Sequence, residues 1–262
     1  MAARAIWKGQ IKLNSVRVPV RLYSAVQDRT VRFHILEERT MSRVKQHMID
    51  PQTGKEVAGE EIQKSYEVEP GTFVLLTDEE LTKLAPKPSR DIEIQHFVPF
   101  KNISQELYDR PYYLGPDGDS EAYFALAEAL QQQEREGIAR WVMRKKRYVG
   151  ALHAEDDYLM LVTLRDAGEV IAAAQLPRPA GRAPDRKELA MAGQLVGMLE
   201  SDFDPREFKD EYRNRVMEFI ELKAKGKPPR LRAARAKRAP ASLTGVLSKS
   251  IQQLKKKEKV AA

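Results

Sequence analysis

The side chains able to do chemistry are scattered along the chain. His34, His47, His96 and His153 lie far apart, and no pair has the i, i+4 spacing that puts two imidazoles on one helix face. Each reads as a packed or strand-surface histidine. Asp78-Glu79-Glu80 follows Thr77 and is explained by helix capping, and Glu155-Asp156-Asp157 by a hairpin turn. Cysteine is absent, which removes disulfides, thiolate ligands and thiol nucleophiles. Gly54-Lys55 lacks the glycine five positions earlier that a phosphate loop requires, since Ile49 stands there, and no Gly-x-Ser-x-Gly elbow occurs. Dispersed carboxylates could still assemble a metal-dependent nuclease, because a two-metal site needs only a few of them. The expectation is a protein that is not an enzyme, with no metal and no cofactor.

What the sequence offers instead is charge. The 262 residues carry a net +7, but residues 223–262 alone hold 13 basic residues and one acid, so the remainder is net acidic. Residues 223–241 mix Lys, Arg, Ala and Pro with a single Leu and cannot bury enough apolar surface to offset chain entropy. A flexible tail is expected, either merely solubilising or binding polyphosphate, with nucleic acid favoured. Its candidate contacts are Lys225, Lys227, Arg230, Arg232, Arg235, Lys237, Arg238, Lys255, Lys256 and Lys257. The first 45 residues add ten basic against three acidic side chains in strand-like sequence. Arg140, Arg144, Lys145, Lys146 and Arg147 form a further cluster beside a strand, either a DNA contact or a solvated loop. Trp7, Phe33, Tyr112, Tyr113 and Trp141 lie in or beside strand patterns, where core packing is the default. Basic charge without a paired aromatic platform points to duplex backbone contact rather than base reading.

The elements that must hold these groups are mostly strands. Val16 to Leu22 alternates, with Arg17 and Arg21 on the open face, and Pro19 argues for an edge position or a bulge. Val31 to Ile35 repeats the pattern with Arg32 and His34 outward. A hairpin is expected around Glu69-Pro70-Gly71, and further strands at 92–98, 138–143, 148–153 and 158–164. Thr77 to Glu80 is a capping box for a helix ending near Leu84, and Ser120 is a candidate cap for residues 121–133. The Pro-rich stretch 176–184 separates strands from two later helices with apolar faces. Leu189, Ala192, Val196 and Leu199 mark the face of the first, and Tyr212, Val216 and Phe219 belong to that of the second. Behind the basic linker, Leu243, Val246, Leu247, Ile251 and Leu254 fall at helical spacing. So short a helix is marginal alone; it either docks on its own body or serves a partner. No apolar run approaches the roughly 18 residues of a membrane span, and MAARAIWKGQ lacks a secretory leader. No membrane association and a cytoplasmic, nucleoid-associated location are expected.

Several ordered motifs together resemble the bacterial Ku proteins. They are Ile6-Trp7-Lys8-Gly9, Val16 to Tyr23, Ser65-Tyr66-Glu67, Leu76 to Leu81, Arg110 to Pro116, Phe203-Asp204-Pro205 and Asp210-Glu211-Tyr212. The likeness runs from near residue 5 to about 226, and departs where Asn14-Ser15 replaces the usual Gly-Leu. It implies an α+β fold: a β-barrel core with an extended DNA-encircling bridge, a helical dimerisation arm and a basic tail. On this chain that means a core at 1–178 with the bridge near 32–64, an arm at 185–226, and a tail at 227–262 with a short helix near 243–254. The resemblance implies a homodimeric ring on double-stranded DNA ends in non-homologous end joining, which recruits an ATP-dependent DNA ligase. The alternative is an architectural protein coating internal DNA or RNA. Channel contacts are then expected from Arg32, Arg39, Arg43, Lys45, Lys55, Lys64, Arg144, Lys145, Lys146 and Arg147. Leu189, Val196, Leu199, Phe203, Tyr212, Val216 and Phe219 would serve the dimer arm. Leu243, Val246, Leu247, Ile251 and Leu254 would dock the ligase.

Overall fold

A computed structural model of the chain describes residues 3–118, 120–226 and residue 251. Seven strands close a barrel in the order β1-β2-β6-β9-β8-β7-β5. They are β1 (Trp7–Leu13), β2 (Val16–Ser24), β5 (Asp91–Pro99), β6 (Tyr108–Pro116), β7 (Arg135–Met143), β8 (Lys146–Glu155) and β9 (Tyr158–Leu164). Neighbours are antiparallel except β1 and β5, which run parallel and close the cylinder, with Ile11 beside Ile92. Closure leaves the barrel itself no free strand edge. Inside lie Ile11, Val18, Val20, Leu22, Ile92, Leu114, Trp141, Leu152, Leu159 and Leu161, the alternate residues of each strand. Helix α2 (Glu121–Gln132) contributes Tyr123 and Leu130 to that core. The buried Tyr123 hydroxyl donates to the Leu114 carbonyl at 2.5 Å and accepts from the Leu159 amide at 2.8 Å, tying α2 to β6 and β9.

Two glycines are dictated by close approach. A Cβ at Gly9 would lie 2.1 Å from the Trp7 ring and 2.3 Å from the Arg90 carbonyl oxygen. A Cβ at Gly150 would lie 2.6 Å from the Val162 carbonyl and 2.8 Å from Trp141. Both indoles therefore rest directly on backbone.

Some expectations are corrected. β2 is not an edge strand. Its Pro19 is paired with Gln10 of β1, and pairing with β6 begins only at Val20, so the missing amide falls just beyond the last β6 pair. There the Pro19 carbonyl accepts from Asp117 at 3.1 Å. The Asn14-Ser15 turn works because Asn14 takes φ 49°, a left-handed conformation asparagine tolerates. β1 and β6 were not among the expected strands, whereas Val31 to Ile35 forms none. Phe33 is 68% exposed, its apolar neighbours having no layer to pack on. Ser120 makes no side-chain cap. Thr77, by contrast, forms the full box with Glu80 at the start of α1 (Asp78–Leu84).

No residue from 23 to 91 is buried. Residues 26–63 hold two isolated bridges, Leu36 to Arg43 and Ile49 to Glu56, each closing a local turn, and one short 3-10 turn at Gly59–Glu61. They lead into the exposed hairpin of β3 (Lys64–Glu69) and β4 (Thr72–Leu76).

The chain divides into two compact units: Met1–Arg29 with Phe33–Gln175, and Thr30–Arg32 with Leu176–Ala262. In the second, α3 (Arg186–Met198) starts with a capping box between Asp185 and Glu188. Arg182 forks onto the buried Glu188. After a short turn at Pro205–Glu207, Asp210 caps α4 (Glu211–Ala224). No helix among the described residues is long and apolar enough to cross a membrane.

Candidate nucleic-acid interface

β7 and β8 are joined by the two-residue turn Arg144-Lys145, with Met143 opposite Lys146. Both turn residues have positive φ, 50° and 63°. That geometry matches the twist of a hairpin and ordinarily selects Asn or Gly, yet two cations occupy it. Arg140 and Arg147 point outward beside this turn, Arg147 standing across from Val142. Lys146 lies over the Tyr148 ring at 5.4 Å, and Tyr148 stacks on Trp141 at 5.4 Å. The cluster is thus carried by two barrel strands rather than by a loose loop.

Topology brings a second set of cations alongside. The connection from α1 to β5, residues 85–90, is stiffened by Pro86 and Pro88 and presents Lys87 and Arg90. One groove beside it, of ≈ 400 Å³, is lined by Trp7, Pro86, Pro88, Ser89, Arg90, Val142, Arg144 and Lys145. Another, of ≈ 570 Å³, includes Lys87, Asp91, Glu93, Arg140 and Arg147. Among the described residues, Lys87, Arg90, Arg140, Arg144, Lys146 and Arg147 form no ion pair.

Other cations are neutralised by neighbouring carboxylates. Lys8 and Arg21 meet Asp117 at 3.2 and 2.5 Å, and Lys12 meets Glu93 at 3.3 Å. Hydrogen bonding from Arg21 is the main cause that holds the Asp117 carboxyl below its ordinary range. Lys64 meets Asp78 at 2.7 Å and keeps that carboxyl low, with a smaller contribution from Lys145. Lys64 and Lys145 therefore share one acidic neighbour.

Arg39, Arg43, Lys45 and Lys55 lie on the exposed 33–63 segment without ion pairs among the described residues. Arg32 groups with the second unit. Lys225 is exposed at the end of α4. Lys227, Arg230, Arg232, Arg235, Lys237, Arg238, Lys255, Lys256 and Lys257 fall outside the described residues, as do Leu243, Val246, Leu247 and Leu254. Ile251 is helical and buried, so at that position the apolar face is covered. Leu189, Val196, Leu199, Phe203 and Tyr212 are exposed, and Val216 and Phe219 half-buried. Phe203 stacks on Phe208 at 5.4 Å, and both rings face solvent.

Sequence reasoning missed Lys87 and Arg90. Their one signal is the two prolines around Lys87 just before a strand, and only the pairing of β5 with β1 and β7 brings them to the hairpin. His153 is packed between carboxylates, 3.6 Å from both Glu136 and Glu155. Among the described residues, no three metal-ligating side chains converge.

The Ku family profile, described as the Ku70/Ku80 beta-barrel domain, matches residues 12–191. A non-homologous end joining protein Ku of Coxiella burnetii is 37% identical, covering 100% of this chain and 99% of its own. A second, from Geotalea uraniireducens, is 38% identical over 86% of this chain and 88% of its own. One from Archaeoglobus fulgidus is 33% identical over 86% of this chain and 89% of its own.

Proposed function

The chain belongs to the Ku family of non-homologous end joining proteins, and on that premise we propose that it is a homodimeric ring. The ring binds double-stranded DNA ends without reading sequence and recruits an ATP-dependent DNA ligase to double-strand breaks. It works as a scaffold rather than a catalyst. The observation that carries this reading is the group of unpaired cations on the β7–β8 hairpin and the 85–90 loop. Fixed cations without carboxylate partners create a field that phosphate, and not protein, neutralises. Phosphate contacts position a duplex but carry no sequence information.

The second copy is supported by apolar surface. Leu189 and Val196 of α3, with Phe203 and Tyr212 beyond it, are each more than half exposed. Such a patch is stable in water when an identical chain covers it about a two-fold axis. A body of about 180 residues has a radius of gyration near 16 Å and could not surround a duplex alone. Residues 26–76, which bury nothing, supply chain for an arm. The basic tail would add backbone contacts and, if Ile251 exchanges its present cover for a partner, a ligase docking element through residues 243–254.

Binding to a linear fragment and to the same fragment as a covalently closed circle tests this. A ring that loads at ends binds the linear form alone, and equally for unrelated sequences. Equal binding to closed circles would favour a coating protein and overturn the proposal.

A further inference from the structure

We propose that the groove beside Trp7 is a pocket for a single unpaired nucleotide, so that the protein distinguishes a frayed or overhanging DNA terminus from a blunt one. This rests on the end-binding reading above and adds a specificity to it. The groove joins two kinds of wall. Trp7, Pro86 and Pro88 supply flat apolar faces, and Arg90, Arg144 and Lys145 supply positive charge with no carboxylate in the lining. A duplex phosphodiester needs cations alone; apolar walls gain nothing from a hydrated phosphate. A nucleotide combines the two, since its base gains from stacking on an aromatic face while its phosphate meets the rim. The volume, ≈ 400 Å³, is within the range of small-molecule pockets.

The pocket is also preformed. Trp7 is held on β1 against the backbone of Gly9, where a Cβ would strike the indole, and both prolines restrict the facing loop. Little ordering entropy remains to oppose binding. The neighbouring groove differs in kind, because Asp91 and Glu93 stand among its cations and no proline walls it.

The full-length protein tests this with duplexes of one sequence, either blunt or carrying one 5′-phosphorylated unpaired nucleotide. dAMP and inorganic phosphate are run as separate probes. Trp141, the second tryptophan, lines the neighbouring groove, so emission is read in a Trp141→Phe background, where it reports Trp7 alone. The expected result is roughly tenfold tighter binding of the overhang duplex, with emission quenched. Trp7→Ala should erase that difference while blunt binding persists. The emission measurement keeps Trp7 in place, so it decides the matter even if Trp7→Ala fails to fold. Quenching by dAMP but not by phosphate supports a nucleotide pocket. Quenching by dAMP with no gain for the overhang duplex would assign the groove to free nucleotide and overturn the proposal, as would equal affinity and unchanged emission for both duplexes. Failure of both duplexes to bind would instead overturn the end-binding reading.

Discussion

The Tyr108 hydroxyl lies 2.8 and 3.0 Å from the two carboxylate oxygens of Glu136 and donates to them inside the barrel wall. Glu136 is 1% exposed. Burial, followed by the hydrogen bond to Glu136, pushes the Tyr108 phenol above its ordinary range, so the donor keeps its proton at neutral pH. Tyr108→Phe removes the donor and leaves the carboxylate enclosed. The expected cost is about 1–3 kcal/mol in the urea unfolding free energy. An unchanged midpoint would show that His153 or water replaces the phenol.

Acid should act through Asp117. Its carboxyl is held low in the fold, chiefly by Arg21 and then by Lys8, whereas unfolding returns it to roughly 3.9. The unfolded chain then binds the proton more readily. The stabilisation is therefore present above about pH 4 and lost as pH falls through the folded value. Asp117→Asn should flatten the acid limb of the stability profile and converge with the parent at low pH. Parallel curves for the two proteins would sink this assignment.

Reversing charge at the hairpin separates backbone contact from base reading. For Arg144→Glu with Arg147→Glu, affinity should fall alike for unrelated duplexes, and the salt slope should drop by about 1–2. Fluorescence anisotropy at several salt concentrations measures both. A loss confined to particular sequences would contradict sequence-independent binding.

Self-association should depend on the α3 face. Val196 is 71% exposed, and Val196→Asp places a charge where a partner chain would bury an apolar side chain. Losing that burial costs about 1.5–3 kcal/mol, roughly a ten- to hundredfold weaker dimer. Sedimentation of the parent as a monomer at micromolar concentration would refute the dimer.

Ending the chain at Gly226 removes most of the basic tail. End loading and dimerisation should persist, while DNA affinity and ligase stimulation fall. Unchanged ligation together with an unchanged salt slope would leave the tail without either role.

The strands were legible where they alternate cleanly, as in β2 of the barrel, and where turn chemistry punctuates them, as at Pro70-Gly71 of the separate hairpin and Asp156-Asp157 of the barrel. β6 was not, because Pro111 and Gly115 interrupt its pattern, and β1 was not, because Lys8, Gly9 and Lys12 dilute its apolar positions. Val31 to Ile35 misled for the opposite reason: it alternates, but no second layer meets it, and periodicity alone does not supply one. The cations of the β7–β8 turn were visible as a run in the sequence. Lys87 and Arg90, some 55 residues away, join them only through strand register, which local pattern does not encode. Nor could composition show that Lys8, Lys12 and Arg21 spend their charge on neighbouring carboxylates.

A designer choosing residues for the Arg144-Lys145 corner on conformational grounds would write Asn-Gly. The natural pair forgoes that ease and keeps two long cationic side chains at the apex in a backbone shape they dislike. The hairpin is thus less stable than its own geometry permits. If the proposed function holds, that shortfall is what grip on a polyanion costs this corner in thermal robustness.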